Sequence, residues 1–331
     1  MSVLRIGVAI VTVALVVWLV ILPQFGDVRA DLARLGTVPP VMVGLAAAAE
    51  TLSLLTFSVL SRAVLGEERL PYRSLLAIDL ADLAANHTLP GGGATAAAMR
   101  YHLVHAEGVS SRRALGMATV ETAISNAALA MVFAVGALLV SGRVGPDFAF
   151  VVAGIATGVV IAIVVLSAWV LLRYPSACRR WAARIGKHIP LLRASRAEVF
   201  VAELSSVLRE LRSDRRRAVT AAAASLANWI LDALALWLVL AAFGQPIGIG
   251  VLLAAYGAGT LLGQLPLTPG GLGVVEGTVT VLLVALGVAH APAVLAVIGW
   301  RVFEFWLPIP IGWACYLALR VRRGIRPAGS T

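Results

Sequence analysis

Charged side chains are scarce in this 331-residue sequence, and only two of its residues are cysteines. The charged fraction is 13%, whereas about a quarter of the residues are charged in a water-soluble domain, so a soluble globular fold is excluded. Cys178 and Cys315 stand outside any CxxC spacing, which excludes a disulfide framework and a cysteine-based zinc site. The sequence also lacks a Walker A motif and a GxSxG nucleophile elbow, so these signatures of nucleotide-binding and hydrolytic enzymes are missing.

Apolar residues are abundant: they make up 60% of the sequence, and the mean hydropathy is +0.92. Runs of about 20 apolar residues, long enough to cross a hydrocarbon core of ~30 Å, recur along the chain. Full-length spans are predicted at residues 3–22, 38–62, 114–140, 147–172, 218–243 and 293–320. The sequence therefore predicts an all-α polytopic membrane protein with a single membrane domain over residues 1–331.

The net charge of +10 is unevenly distributed along the chain. Residues 173–217 hold twelve basic and four acidic side chains, and the tail 321–331 is basic as well. Basic loops of membrane proteins stay in the cytoplasm, so this loop and both termini are expected there and no nucleic-acid partner is expected. Amphipathic patterns at 181–192 and 200–211 predict helices that lie on an anionic inner leaflet, or a loop that only fixes orientation.

Two further apolar stretches, 74–108 and 247–288, are each interrupted by proline and glycine. The interruptions are LPGGG at 89–93 and TPGGLG at 268–273. Arms of about 15 to 17 residues are short for a crossing at 1.5 Å per residue. Re-entrant helical hairpins are therefore predicted, with pairs of short spans as the alternative.

A shift of 179 residues carries the first interruption onto the second, and residues 38–141 onto 217–320. This correspondence predicts an internal duplication of span, hairpin and span. Because the single span 147–172 separates the copies, the second copy is expected to be inverted in the membrane relative to the first.

The interruptions are the first candidate site. Non-helical backbone at membrane depth is tolerated only beside protein or a watery cavity, so both are expected to line a central cavity. Helices that restart near Ala94 and Val274 would direct their positive amino ends toward it, which favours phosphate or carboxylate binding. The alternative is that these glycines only allow close helix packing, as expected for Gly259 and Gly263.

Ionisable residues within the apolar stretches are the second candidate site, because each costs at least ~2.5 kcal/mol near the bilayer centre. Arg100 and Glu121 are expected at similar depth, as are Glu276 and Arg301, either as structural pairs or as a headgroup site in which the arginines bind an anion. The predicted substrate-binding residues are Asn86, Pro90, Gly91, Gly92, Arg100, Pro269, Gly270, Gly271, Glu276, Arg301 and Glu304. Glu50, Glu121 and Asp232 are predicted to couple an ion or a proton.

His102, His105 and Glu107 share one helix face and have the chemistry of metal ligands. A solvated or core histidine pair is the simpler explanation, so no metal and no cofactor are expected.

Three motifs carry a family resemblance: Asn86-x3-Pro90-Gly-Gly with Arg100 downstream, TPGGLGVVEG at 268–277, and Arg301 through Trp306-Leu307-Pro308 to Gly312. They resemble the flippase-like family that includes the membrane part of bacterial lysylphosphatidylglycerol synthases, over about residues 5–320. The resemblance implies a prokaryotic inner-membrane protein that moves a polar lipid between leaflets. Ala94-Thr95 departs from the pattern, in which an acidic residue often follows the glycines. The synthases' aminoacyl-transferase domain has no counterpart in these residues, so lysyl transfer is not expected.

The function expected from the sequence is therefore a lipid flippase or scramblase, and not an enzyme. Its expected substrate is an anionic phospholipid or a polyprenyl-phosphate-linked lipid that moves downhill or on an ion gradient. Further expected partners are a lipid-modifying enzyme or a second copy of the chain. The alternatives are a non-transporting membrane scaffold for a lipid-modifying or cell-envelope enzyme, and a lipid-modifying enzyme, for which no nucleophile and base pair is evident.

Overall fold

The computed structural model describes residues 38–66, 70–89, 91–144, 148–188, 194–266 and 268–323. The predicted first span at 3–22, Pro90 and the end of the tail lie outside these ranges. The described residues are almost entirely helical and contain no strand, so the expected all-α fold class is confirmed for them.

Four helices make up the first part of the described chain. Helix α1 (Pro40–Leu65) begins at a proline and ends before Gly66, whose φ of 78° suits glycine. Helices α2 (Tyr72–Thr88) and α3 (Gly93–Ala106) flank the first interruption, and α4 (Ser111–Val144) is the longest helix of this part.

The middle part contains three helices. Helix α5 (Phe148–Arg173) is strongly apolar, and α6 (Pro175–His188) follows it at a bend of 105°. Pro175 explains the bend, because proline disfavours helical backbone at the residue before it. Helix α7 (Ala194–Ser213) carries the amphipathic pattern that the sequence predicts at 200–211.

Five helices complete the described chain: α8 (Arg215–Ala242), α9 (Ile249–Gly263), α10 (Val274–Ala285), α11 (His290–Arg301) and α12 (Pro308–Arg323). A short 3-10 turn, Pro269–Gly271, marks the second interruption, and a π turn, Val302–Trp306, joins α11 to α12. The predicted span 293–320 is therefore continuous but irregular. Pro308 lacks the N–H that a regular helix would donate to residue 304, which accounts for the π turn at that point.

Four of these segments are long and apolar enough to cross a membrane: Pro40–Leu65, Ser111–Ser141, Arg215–Ala242 and His290–Arg322. The bent pair of α5 and α6 gives a fifth if it counts as one span. The four single segments coincide, within a few residues at each end, with four of the spans predicted from hydropathy. The predicted span 147–172 corresponds to α5 alone. A protein with several membrane-crossing helices is therefore supported by the described part of the chain.

Helices α1 and α8 pack side by side in opposite directions. Near their middles, Asn228 Nδ2 donates to Ser53 Oγ at 2.7 Å, and Ser53 Oγ donates to the Asn228 carbonyl at 3.0 Å. At the end of α1, Arg217 Nε, from the first turn of α8, donates to the carbonyl of Ala63 at 3.1 Å. Because the residue numbers rise along α1 as they fall along α8, the two helices are antiparallel.

Two close helix crossings join the first part of the chain to the last. Helix α4 packs along α9 through Gly136, where a Cβ atom would lie 2.3 Å from the backbone nitrogen of Ala254. Helix α12 packs along α2 through Gly312, where a Cβ atom would lie 2.1 Å from the carbonyl oxygen of Leu80. Only glycine allows these approaches, so they bring α4 directly against α9 and α12 directly against α2.

Helix α7 packs against α4. Val207 on its apolar face is fully buried and lies opposite Gly116 of α4. Arg113 of α4 holds both carboxylate oxygens of Glu210, at 2.8 Å and 2.7 Å. The apolar face of the 200–211 helix is therefore covered by α4 at Val207, and its expected position on the inner leaflet stays a prediction.

Candidate functional site

The first charged cluster is built around Arg100 of α3, which is 5% exposed. Its Nη1 donates to Asp79 of α2 at 2.6 Å, and its Nη2 donates to Glu121 of α4 at 2.9 Å. Two serines of α1 support the acids: Ser58 Oγ donates to Asp79 at 2.6 Å, and Ser61 Oγ donates to Glu121 at 2.6 Å. The predicted contact of Arg100 with Glu121 is thus present, within a network that joins four helices.

The second charged cluster is built around Arg301 at the end of α11, which is 2% exposed. Its Nε donates to Glu276 of α10 at 2.7 Å, its Nη1 to Glu304 of the π turn, and its Nη2 to the carbonyl of Gly270 at 3.1 Å. Glu276 Oε2 also accepts the backbone N–H of Gly273 at 2.6 Å. The second predicted pair is therefore formed, and Arg301 ties the interruption itself to the helices on either side.

The amino ends of the helices that restart after the interruptions differ between the two copies. Helix α10 begins at Val274 as expected, but Glu276 caps its amino end with a carboxylate of the protein itself. The prediction of an open anion-binding site at the amino end of α10 is therefore wrong. Helix α3 begins at Gly93 and has no acidic residue in its first turn. Its amino end lies beside Asn86, whose side-chain oxygen faces Gly92.

A pair of carboxyl groups lies between these clusters. Glu50 of α1 and Asp232 of α8 are 4% and 5% exposed, and their carboxyl groups lie within hydrogen-bonding reach of each other. Tyr256 Oη donates to Asp232 Oδ2 at 2.8 Å, and Trp300 Nε1 donates to Asp232 Oδ1. Unlike Glu121, this pair makes no ion pair with a basic side chain of the described residues.

All three groups border one cavity of about 630 Å³. The described residues give it six carboxyl groups and two guanidinium groups: Glu50, Asp79, Asp82, Glu121, Asp232 and Glu304, with Arg100 and Arg301. Both interruptions also border it, through Gly92, Gly93 and Gly270. The expected cavity between the interruptions is present, and acidic side chains outnumber basic ones in its lining.

Apart from Pro90, which lies outside the described residues, the predicted site residues divide into two groups. Those that border the cavity are Asn86, Gly92, Arg100, Gly270, Arg301 and Glu304, together with Glu50, Glu121 and Asp232. Four others do not border it: Gly91, Pro269, Gly271 and Glu276. Glu276 acts on the cavity only through Arg301, and Gly271 packs closely against Gly263 of α9.

His87 was missed by the sequence analysis although it joins the two interruptions. Its ring stacks on Phe305 at 4.3 Å between ring centroids, and its Nδ1 lies 3.2 Å from the Phe305 carbonyl. A Cβ atom at Gly270 would lie 2.6 Å from the His87 ring, so the end of α2 lies directly against the second interruption. The available signal was a histidine within an apolar stretch, one residue after Asn86 and two residues before the first interruption.

Comparisons with known proteins match this chain to a membrane family. The family model described as the lysylphosphatidylglycerol synthase TM region matches residues 4–312, which include both arginine clusters and the carboxyl pair. The chain is also similar to a UPF0104 membrane protein of Methanothermobacter thermautotrophicus, with 31% identity over 110 residues. This alignment covers 33% of the chain and 32% of that relative, so it spans only about a third of the relative's length.

Proposed function

The chain belongs to the lysylphosphatidylglycerol synthase transmembrane-region family, and from this membership we propose that it moves lipid headgroups between membrane leaflets as a flippase or scramblase. The observation that carries the proposal is the charged cavity between the two interruptions. Each ionisable residue near the bilayer centre costs at least ~2.5 kcal/mol. Apolar side chains of similar size would pack the bundle as well or better, so eight ionisable groups around one cavity favour a polar substrate.

The transport mechanism that we propose uses an inverted repeat. The 179-residue shift pairs α1 with α8, α2 and α3 with α9 and α10, and α4 with the continuous segment of α11 and α12. Support comes from α1 and α8, which correspond in sequence and pack antiparallel, as expected for copies related by an axis in the membrane plane. Transporters of this type bind substrate between the copies, near the bilayer midplane, where the cavity would then lie.

The charge of the cavity argues for a particular headgroup. Each arginine already contacts at least two carboxylates, so a purely anionic headgroup would meet acids that outnumber the bases by six to two. A headgroup with both a phosphate and an ammonium group would offer one partner to the arginines and another to the acids. We therefore propose a phospholipid of this kind in place of the purely anionic lipid expected from the sequence. Lysylphosphatidylglycerol, named in the family description, has such a headgroup.

The proposed transport is tested with purified protein in liposomes that contain a labelled phospholipid. Protein-containing vesicles are expected to exchange the label between leaflets faster than empty vesicles, and faster for an amine-bearing phospholipid than for phosphatidylglycerol. Arg301→Ala removes charged hydrogen bonds of about 1.5–3 kcal/mol each and is expected to slow exchange roughly tenfold or more. Equal rates with and without protein would contradict the proposal.

Controls separate lost transport from lost folding. Arg301→Lys keeps the charge but cannot reproduce the branched contacts of the guanidinium group, and is expected to slow exchange while the protein elutes as the wild type does. Arg112→Ala alters an exposed arginine at the start of α4 and is expected to leave exchange unchanged.

A scaffold function is the alternative, and α6 is the surface that favours it. Trp181 is 62% exposed there and stands among Arg179 and Arg180. Deletion of residues 178–212 is unsuitable as a test, because it removes the buried Val207. Replacing Trp181, Arg179 and Arg180 by serine distinguishes the two functions: a lipid transporter keeps its exchange rate, whereas a scaffold loses its partner enzyme.

A further inference from the structure

Glu50 borders the cavity and has a buried carboxylate oxygen without a hydrogen-bond partner among the described residues. Glu50 as a whole is only 4% exposed. Its Oε2 atom is the oxygen without a partner. A buried carboxylate oxygen without a partner loses its hydration without compensation. The position of Glu50 is therefore explained by a neutral carboxyl group, or by a cation or a water molecule bound from the cavity.

Asp232, unlike Glu50, has hydrogen-bond donors for both carboxylate oxygens. Each of its oxygens accepts a hydrogen bond from a neutral donor, Tyr256 for Oδ2 and Trp300 for Oδ1. Donors directed at both oxygens stabilise the ionised form of a carboxyl group. Two ionised carboxylates cannot hydrogen-bond to each other, since both are acceptors only. The contact between Glu50 and Asp232 thus requires one proton, and the arrangement of donors assigns it to Glu50.

The charged and titratable groups around the pair do not supply a compensating cation. Glu304 on the π turn faces both carboxyl groups and adds negative charge. Arg301 on α11 is engaged by Glu276 and Glu304, and Arg100 is engaged by the acids of α2 and α4. His87 on α2 packs against the π turn, and Tyr256 on α9 donates to Asp232.

We propose that Glu50 and Asp232 form a binding site for one proton at the α1–α8 interface, and that release of this proton into the cavity couples a proton gradient to lipid movement. The coupling rests on the proposed lipid transport, whereas the proton site does not. When the O–H bond of Glu50 breaks, the proton passes to the cavity and the electron pair stays on the carboxylate. Two adjacent negative charges then lie between antiparallel helices from the two halves of the chain. Their repulsion favours separation of the halves, and return of the proton restores the contact.

Glu121 is not part of this site, although the sequence analysis grouped it with Glu50 and Asp232. Arg100 lies 2.9 Å from its carboxylate, so its negative charge has a fixed partner inside the protein. A carboxylate held in this way has no need of a proton from the cavity. The paired and unpaired acids of the cavity therefore have different roles.

The proton site is tested without transport, by infrared difference spectroscopy of the purified full chain in lipid nanodiscs. A stretching band of a protonated carboxyl group is expected at neutral pH and is expected to disappear at alkaline pH. Glu50→Gln keeps an N–H donor toward Asp232, so the fold is expected to persist while the band is lost. Glu198→Gln, at an exposed position of α7, is expected to retain it. A band that survives in Glu50→Gln overturns the proposal, as does a wild-type band that titrates with sodium at constant pH.

The coupling is tested in liposomes with an imposed pH gradient. The wild type is expected to exchange labelled lipid faster in the direction set by the gradient, and in Glu50→Gln the ratio of rates with and without the gradient is expected to fall to one. A ratio that stays above one in this variant overturns the coupling. If the wild type exchanges no lipid at all, the proposed function fails, and the infrared band still decides the proton site.

Discussion

At the scale of single residues, the second interruption depends on backbone that only glycine supplies without strain. Gly271 has a φ of 69°, and a Cβ atom there would lie 2.8 Å from the Cα atom of Gly263. The neighbouring Gly270 has a φ of 56° and gives its carbonyl oxygen to Arg301. The glycine backbone and the close packing of α9 thus position the Gly270 carbonyl oxygen that accepts a hydrogen bond from Arg301.

Substitution of Gly271 by alanine is expected to destabilise the protein by about 2 kcal/mol or more. A left-handed φ costs a residue with a Cβ roughly 1–2 kcal/mol, and the contact with the Gly263 backbone adds a packing cost of about 1 kcal/mol or more. The thermal unfolding midpoint, followed by tryptophan fluorescence in detergent, measures the effect.

The matched control for this prediction is Gly277→Ala. Gly277 lies inside α10, and a Cβ atom there meets nothing within 4 Å. Alanine is expected to raise stability by up to about 1 kcal/mol because it favours helix over the unfolded chain. Equal thermal unfolding midpoints for Gly271→Ala and Gly277→Ala would mean that the interruption does not require glycine at position 271.

The charged residues show how far the sequence predicts such a site. Counting depth along the predicted helices brought Arg100 near Glu121 and Arg301 near Glu276, and both contacts are present. Asp79 was not predicted as a partner, because its approach depends on the angle between α2 and α3, which no local pattern encodes. The neutral donors Tyr256 and Trp300 were missed for the same reason, since they reach Asp232 from two other helices.

At the scale of elements, the attachment of α7 to α4 combines apolar and charged contacts. Val207 packs into the space left by Gly116, and Glu210 binds Arg113 through two hydrogen bonds. Partial burial alone would raise the pKa of Glu210, but the hydrogen bonds and charge of Arg113, with a hydrogen bond from Ser206, lower the pKa below its ordinary value of 4.5. The amphipathic pattern predicted this helix correctly, but hydropathy does not distinguish a face that meets lipid from one that meets protein.

Glu210→Gln is expected to lower the unfolding midpoint at neutral pH and to flatten its dependence on acid pH. Because the pKa of Glu210 is lower in the folded than in the unfolded chain, its stabilising effect is present above pH 4.5 and is lost as the pH falls through the lowered value. The midpoints of variant and wild type should therefore differ at pH ~7 and converge once the pH falls below the lowered pKa of Glu210. A constant difference between them over this range would assign the stabilising effect to packing and not to the ion pair.

At the scale of the whole molecule, the antiparallel contact of α1 and α8 is the feature that supports the proposed inverted arrangement. The 179-residue shift predicted which helices correspond, and the described helix bounds fit it closely. The shift did not predict that α4 packs along α9 and α12 along α2, since these crossings depend on surface shape at glycines far apart in sequence. If the copies are inverted, corresponding loops must lie on opposite sides of the membrane.

Ser110 and Ala289 test this consequence directly, because they are separated by 179 residues and both are exposed, in the loops before α4 and α11. In a chain with Cys178→Ser and Cys315→Ser, a cysteine at either position should react with a membrane-impermeant maleimide from one side of oriented vesicles only. Ser110→Cys is expected to react from the cytoplasmic side, with the basic loop, and Ala289→Cys from the opposite side. The substitutions avoid the strained glycines of the interruptions, so the protein should fold normally. Reaction of both cysteines from the same side would rule out the inverted topology of the two copies. It would also rule out the proposal that α1 and α8 separate as two halves of a transporter.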